Sequence, residues 1–341
     1  MNTKSSKNLQ SLWQRGCDFL NSRYAILGGA MTWVSNHTLT AAISNAGGFG
    51  VLASGAMQPE MLREEIARTK NLTTNSFGVN LITLHPKLME MIDVCGQENI
   101  THVVLAGGLP NEASFQKLKQ YGCKIIGFAP ALVIAKKLIK MGADALVIEG
   151  NEAGGHIGPV STSVLAQEIL PIIQEVPVFV AGGIGRGEAM VSYLQMGASG
   201  CQLGTRFVCA HESLAHENFK KAFIKAQARD AVISTQLDPR FPVIPVRALA
   251  NKATKEFMAV QAETIKEYEG GSIDLKDAQL KIEHYWAGSL RKAVVDGDVE
   301  NGSVMAGQSV GMVCKEQSAS EIVEELVVQA NQFLEQHKLA S

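Results

Sequence analysis

Residues 178–187 read VFVAGGIGRG and residues 200–207 read GCQLGTRF. Each stretch begins as a short apolar run and opens directly into glycine. Continuous apolarity means burial on both faces, the mark of a parallel strand covered by helices. Outward from this pair, similar runs recur at Tyr24–Leu27, Phe49–Ala53, Phe77–Leu81, His102–Leu105, Lys124–Phe128 and Ala145–Ile148. With Val178–Ala181 and Gly200–Leu203 they make eight candidate strands. Helical segments separate them: Pro59 is placed to start a helix in PEMLREEIARTK, and Ala131–Met141 carries one apolar stripe before Gly142. Eight strands, each followed by a helix, close most simply into a (β/α)8 TIM barrel of the α/β class. A doubly wound open sheet is the alternative that strand count alone leaves open.

Composition narrows the function. Hydrophobic residues are 46% and charged residues 19% of the 341, a globular balance that excludes a disordered chain. A net charge of −2 shows no basic excess, which sets nucleic-acid binding aside. No apolar run reaches the roughly 18 residues that span a bilayer, and the N-terminus lacks the apolar core of a secretory signal. The expectation is a soluble cytoplasmic protein with no membrane or nucleic-acid partner. Its six scattered cysteines form no C-x-x-C pair and read as reduced, mostly buried structural residues.

Beyond residue 230 the strand rhythm breaks. The expected organisation is an N-terminal helix over 1–20, a barrel over 21–250 and 296–341, and an inserted helical subdomain over 251–295. Residues 255–290 read as helical and polar, with Glu263, Lys266 and Glu267 on exposed positions. Residues 318–338 form an added C-terminal helix, where Ser318 and Glu321 have capping-box spacing and Ile322, Leu326, Ala330 and Phe333 share a face. Between them GDVENGSVMAGQSVG (297–311) is Gly-rich and apolar, a loop expected to tuck against the barrel.

The motifs with chemistry lie at strand ends. Gly182–Gly183 and Gly204–Thr205 follow the last two strands, where barrels often hold a phosphate on main-chain amides. In ALVIEGNEAGGHIG (145–158), Glu149 ends a buried strand and Gly154–Gly155 leads to His156, the one group there able to exchange a proton near neutral pH. GGAMTWV (28–34) ends the first strand with Gly28, Gly29, Ala30 and Met31, allowing a flat ring against the backbone. Asn80 ends FGVN, its amide placed to read a ring edge. His211, Glu212 and His216 are spaced five apart from His to His, off one helical face, and carry no metal site. Lys220, Lys221, Lys225 and Arg229 read as a basic helical stripe, a solvated face or a dock for an acidic partner.

GGAMTWVS, SNAGGFGVLA, FGVN, EGNEAGGHIG, VAGGIG, QLGTRF and GSVMAGQ together resemble the nitronate monooxygenase (2-nitropropane dioxygenase) family of FMN barrels, from about Tyr24 to Gly311. That family includes the FMN-dependent enoyl-acyl-carrier-protein reductases. The resemblance implies that Gly29, Ala30 and Met31 pack beside the isoalloxazine ring, and that Asn80 and Glu149 contact it. Gly154 approaches the flavin, Gly182, Gly183, Gly204 and Thr205 hold the FMN phosphate, Gln202 and Leu203 line the strand end, and Gln308 closes over the cofactor. His156 matches the family's active-site histidine. Two positions depart from the pattern: Ala30 stands where many members have Gly, and Glu149 where many nitronate oxidisers have Gln.

The implied chemistry is flavin redox catalysis, with oxidation of alkyl nitronates by O2 ranked first. The alternative is NAD(P)H-dependent reduction of an enoyl thioester, which EAGGHIG and GDVENGSVMAGQ match at least as well. A barrel that binds a phosphorylated ligand without redox chemistry is the third reading. A homodimer is left open.

Overall fold

The computed structural model describes residues 5–238, 240 and 245–338. Parallel strands β1 (Ile26–Gly28), β2 (Gly50–Ala53), β3 (Phe77–Ile82), β4 (His102–Ala106), β5 (Lys124–Phe128) and β6 (Ala145–Glu149) come first in the chain. A two-residue strand β7 (Gly155–His156) lies outside the barrel, and β8 (Val178–Ala181) and β9 (Gly200–Leu203) complete it. The sheet order is β1-β9-β8-β6-β5-β4-β3-β2, parallel throughout. Leu27 bridges Phe49 in parallel, so β1 meets the approach to β2 and the sheet closes. The Phe49 amide donates to Ile26 O at 2.8 Å and the Gly28 amide to Phe49 O at 2.9 Å. The fold is the expected TIM barrel, and the open sheet is set aside.

The end of the barrel where the strands begin is plugged. Helix Lys7–Leu20 is capped by Ser6, whose Oγ accepts from the Leu9 amide, and it buries Leu9, Trp13, Cys17 and Leu20. At its far end the Phe19 ring packs edge-on to His102 and tilted against Phe179. Phe19 O accepts from His102 Nε2 at 2.8 Å and from Lys124 Nζ at 2.9 Å. Burial pushes the His102 pKa down to about 4, so this imidazole stays neutral. Polar strand starts are thus satisfied by one helix end, and the mouth where the strands finish is left as the place for a ligand.

Helices cover the outside as the periodicity predicts. Pro59 is the first residue of helix Pro59–Leu72, and Leu132–Met141 stops at Gly142 in a left-handed conformation. Helix Ala319–Lys338 begins with the predicted capping box, Ser318 Oγ accepting from the Glu321 amide and Glu321 Oε2 from the Ser318 amide. Its Ile322, Leu326 and Ala330 are buried; Ile322 and Leu326 each contribute about 1.5–3 kcal/mol by this burial. It lies against helix Gly187–Gln195, where Gln329 Oε1 accepts from the Gly187 amide.

Differences from the sequence expectation have identifiable causes, some local and some long-range. The segment 255–290 is two helices, Lys252–Glu269 and Leu275–Val294, because Gly271 adopts φ 73° and ends the first. They share a small core of Val246, Phe257, Ala278 and Ile282, separate from the main one. Strands β10 (Ala231–Ile233) and β11 (Val246–Leu249) pair antiparallel, and β11 also pairs with β7. The basic stripe does not form. Lys220 is buried, donating to Ala210 O at 2.8 Å and paired with Glu316, while the helix ends at Lys225 before Arg229. Five cysteines are buried as expected, but Cys314 is exposed.

Phe49 is fully buried at the closing seam. Phe49→Ala is expected to destabilise the chain by about 3–5 kcal/mol in urea denaturation. A loss below about 1 kcal/mol would show that the Phe49 ring does not anchor the barrel at this seam.

Candidate active site

Register places the mouth residues on common faces, since parallel partners point the same way. Glu149 pairs with Ala181, and Ala181 with Gln202. An acid and an amide therefore flank a residue that offers only a methyl group. Neither the Glu149 carboxyl nor the Gln202 amide has a protein hydrogen-bond partner among the described residues. Gln202 is buried, and Glu149 keeps some contact with solvent. Loss of water around the Glu149 carboxyl pushes its pKa up to about 8, with no opposing cation.

The turn after β8 supplies donors. Gly182 and Gly183 have φ of 97° and 71°, two successive left-handed residues that only glycine adopts without strain. Their amides donate to no protein acceptor among the described residues. Successive main-chain amides turned the same way form an anion-binding concavity. Thr205, just past β9 and Gly204, accepts from the Gly307 amide at 3.1 Å through Oγ1, which leaves its hydroxyl hydrogen for another acceptor.

The 297–311 loop does tuck against the barrel, through Val304, Gly307 and Gln308. Leu249 donates to Val304 O, and the Gln308 amide donates to Glu152 O at 2.9 Å. A Cβ on Gly154 would lie 2.5 Å from Gly307 N, so the EAGGHIG turn and the MAGQ turn touch backbone to backbone. Gly154, Gln308 and Thr205 are thereby brought to one side of the mouth. On the next side, a Cβ on Gly29 would lie 3.1 Å from Gly204 Cα, and Met31 Sδ sits against Gly204. Ala30 and Met31 are half-buried between them, and Leu203 is buried. Asn80 occupies the opposite wall on β3, which runs one residue further than its predicted end. Its Nδ2 is 3.4 Å from Val104 O.

His156 is exposed rather than sunk in the mouth, and its backbone is held in β7 opposite Val246. The loop expected there is therefore a short pinned strand.

Several supporting residues escape sequence reasoning. Glu152 Oε2 accepts from the Thr162 amide at 2.8 Å, and the single hydroxyl hydrogen of Thr162 is shared between Glu152 Oε2 at 2.8 Å and Gly182 O at 3.1 Å. This chain of bonds fixes the Gly182–Gly183 turn against the EAGGHIG loop. Buried Arg247 donates from Nε to Asn151 O at 2.7 Å and from Nη1 to Ala231 O, tying the same loop to β11 and β10. A charge inside the apolar run PVRALA was the available signal. Trp33, in the turn after β1, adopts φ 68°, a conformation a bulky residue keeps only where its surroundings impose it. Burial pushes the thiols of Cys201 and Cys209 up to about 12, which makes them poor nucleophiles. His216 caps helix Glu217–Lys225 and Glu212 accepts from the Ala319 amide, so both have structural partners.

The family model described as nitronate monooxygenase matches residues 14–329. FabK of Thermotoga maritima superimposes with a TM-score of 0.86 at 34% identity, covering 96% of this chain and 99% of that one. A (3aS,4S,5R,7aS)-5-hydroxy-7a-methyl-1-oxo-octahydro-1H-indene-4-carboxyl-CoA dehydrogenase of Rhodococcus jostii is 33% identical over 65% of this chain, an alignment that spans 62% of that relative. A probable nitronate monooxygenase of Staphylococcus aureus is 27% identical over 95% of this chain and 99% of its own length.

An acid whose folded pKa stands near 8 against an ordinary 4.5 keeps a proton that the unfolded chain has already released between those values. Its contribution to stability therefore falls as pH rises through that window. Glu149→Gln is expected to be more stable than the parent by at least about 1 kcal/mol at pH 8 and equal to it at pH 4. Thermal or urea unfolding at both pH values checks this; an equal difference at pH 4 and pH 8 would deny the titration.

Proposed function

Because the chain belongs to the nitronate monooxygenase family, whose members are flavin-dependent oxidoreductases, we propose that it binds FMN and reduces an enoyl thioester with NAD(P)H. The observation that carries this reading is the 34% identity to FabK, an enoyl-acyl-carrier-protein reductase, sustained over 96% of the chain. Nitronate oxidation by O2 is the second reading, favoured by the Staphylococcus relative at 27% identity and by the description of the family model.

The residues present fit FMN. The Gly182 and Gly183 amides, unpaired among the described residues, and the Thr205 hydroxyl match a phosphate, an acceptor of several hydrogen bonds. Gly204 lies beside Thr205 at the same turn. The side chains of Glu149 and Gln202, without protein partners among the described residues, match a ring with polar edges, and Gly29, Ala30, Met31 and Leu203 would give it an apolar bed. Asn80 would face the ring from the opposite wall, and Gly154 and Gln308 would close the remaining side. When bound, FMN supplies the two-electron shuttle between NAD(P)H and the carbon–carbon double bond.

The chain's own residues handle position and protons. Enoyl thioester, NAD(P)H and one proton give the saturated thioester and NAD(P)+. His156, at the outer edge of the mouth, delivers the proton to the carbon next to the thioester carbonyl. For a nitronate the same imidazole holds the anionic nitro group.

Anaerobic mixing separates the two readings. Bleaching of the flavin by NAD(P)H, and recovery of colour on adding crotonyl thioester, is the expected result. Bleaching by propyl-2-nitronate alone would reverse the order. His156→Ala is expected to keep FMN while turnover falls by about 10²–10⁴; unchanged turnover would remove His156 from the chemistry.

A further inference from the structure

We propose that Glu149 holds the flavin ring as a neutral carboxylic acid, so that FMN binding to this chain takes up a proton. The inference rests on the flavin reading above and adds a protonation state to it. Glu149 and Gln202 lie on the same face, one on each side of Ala181, and neither side chain has a protein partner among the described residues. An amide offers both a donor and an acceptor, whereas an ionised carboxylate only accepts. As a neutral acid, Glu149 matches Gln202 in offering both.

Among the described residues no charged group acts on Glu149, whose pKa is displaced by burial alone. On the adjoining loop, the Glu152 carboxylate is spent on Thr162, and His156 stands on the exposed strand β7. Arg247 is committed to Asn151 O and Ala231 O. On β5, Lys124 lies at the plugged end and donates to Phe19 O; β8 carries no ionisable side chain. The acid Glu168 of helix Thr162–Ile169, and Lys136, Lys137 and Lys140 of helix Leu132–Met141, are exposed. Asp144, before β6, is bound to Lys119 and to the Ile125 amide.

Without a ligand, lost hydration already lifts this carboxyl to about 8. A ring laid across the mouth removes more water, and its phosphate brings further negative charge. Both favour the uncharged acid. The ligand therefore binds the protonated chain, and ionisation competes with binding.

Titration of the apo-protein with FMN, followed by quenching of flavin fluorescence, tests this at pH 7 and pH 9. The dissociation constant of the parent is expected to be about tenfold weaker at pH 9, the ratio for one proton released near pH 8. Glu149→Gln, which has the neutral acid's shape and cannot titrate, is expected to change less than twofold. Calorimetry of the unaltered chain at pH 9, in two buffers of different ionisation heat, is expected to record close to one proton taken up per FMN. Parent affinity that is flat or rises with pH, an equal loss in the variant, or no proton uptake would each overturn the inference while leaving FMN binding intact. Failure of the parent to bind FMN at both pH values would overturn the flavin reading, and this inference with it.

Discussion

Two main-chain hydrogen bonds, from Phe49 to Ile26 O and from Gly28 to Phe49 O, join the first strand to the approach to the second. All else at the mouth depends on that seam. A closed parallel barrel has no free edges, and every strand finishes at the same rim. The ends of β6, β8 and β9, which carry Glu149, Ala181 and Gln202, are thereby held in register. The Lys7–Leu20 helix seals the opposite end with its Phe19 carbonyl and ring. Only one end of the barrel is left for chemistry.

That end is built against stability. Buried polar groups ordinarily find partners inside the protein, and most in this chain do. At the mouth, by contrast, Gln202 and the Gly182 and Gly183 amides have no protein partners among the described residues, and Glu149 has a pKa displaced by burial alone. Such groups accumulate where a ligand supplies what the fold withholds. Their placement is secured from behind: Glu152 grips Thr162, Thr162 reaches the Gly182 carbonyl, and Arg247 ties down Asn151. The loop carrying His156 is therefore fixed on both sides, by β11 and by the MAGQ turn.

Much of this was legible in the residues. Short apolar runs marked all eight barrel strands to within two residues at each end, because burial on both faces leaves few residue choices. The Ser318–Glu321 cap and the Pro59 start were visible for the same local reason. Long-range pairing was not. Nothing around His156 announces that it forms a strand with Val246, ninety residues away in sequence. Lys220 looked like part of a solvated stripe because its partners, Ala210 O and Glu316, come from other elements. Glu152 was hidden for a similar reason: its role is to hold Thr162, and only the folded chain brings the two together.

The central claim is that the mouth holds FMN with its phosphate on the Gly182–Gly183 amides and the Thr205 hydroxyl. Comparing FMN with riboflavin, which has the same ring and no phosphate, tests that most directly. Each hydrogen bond to a charged acceptor contributes about 1.5–3 kcal/mol, so calorimetric titration should give FMN an affinity at least about a hundredfold higher. Equal affinities for the two would contradict the account, since the anion would then have no seat at the last two strand ends.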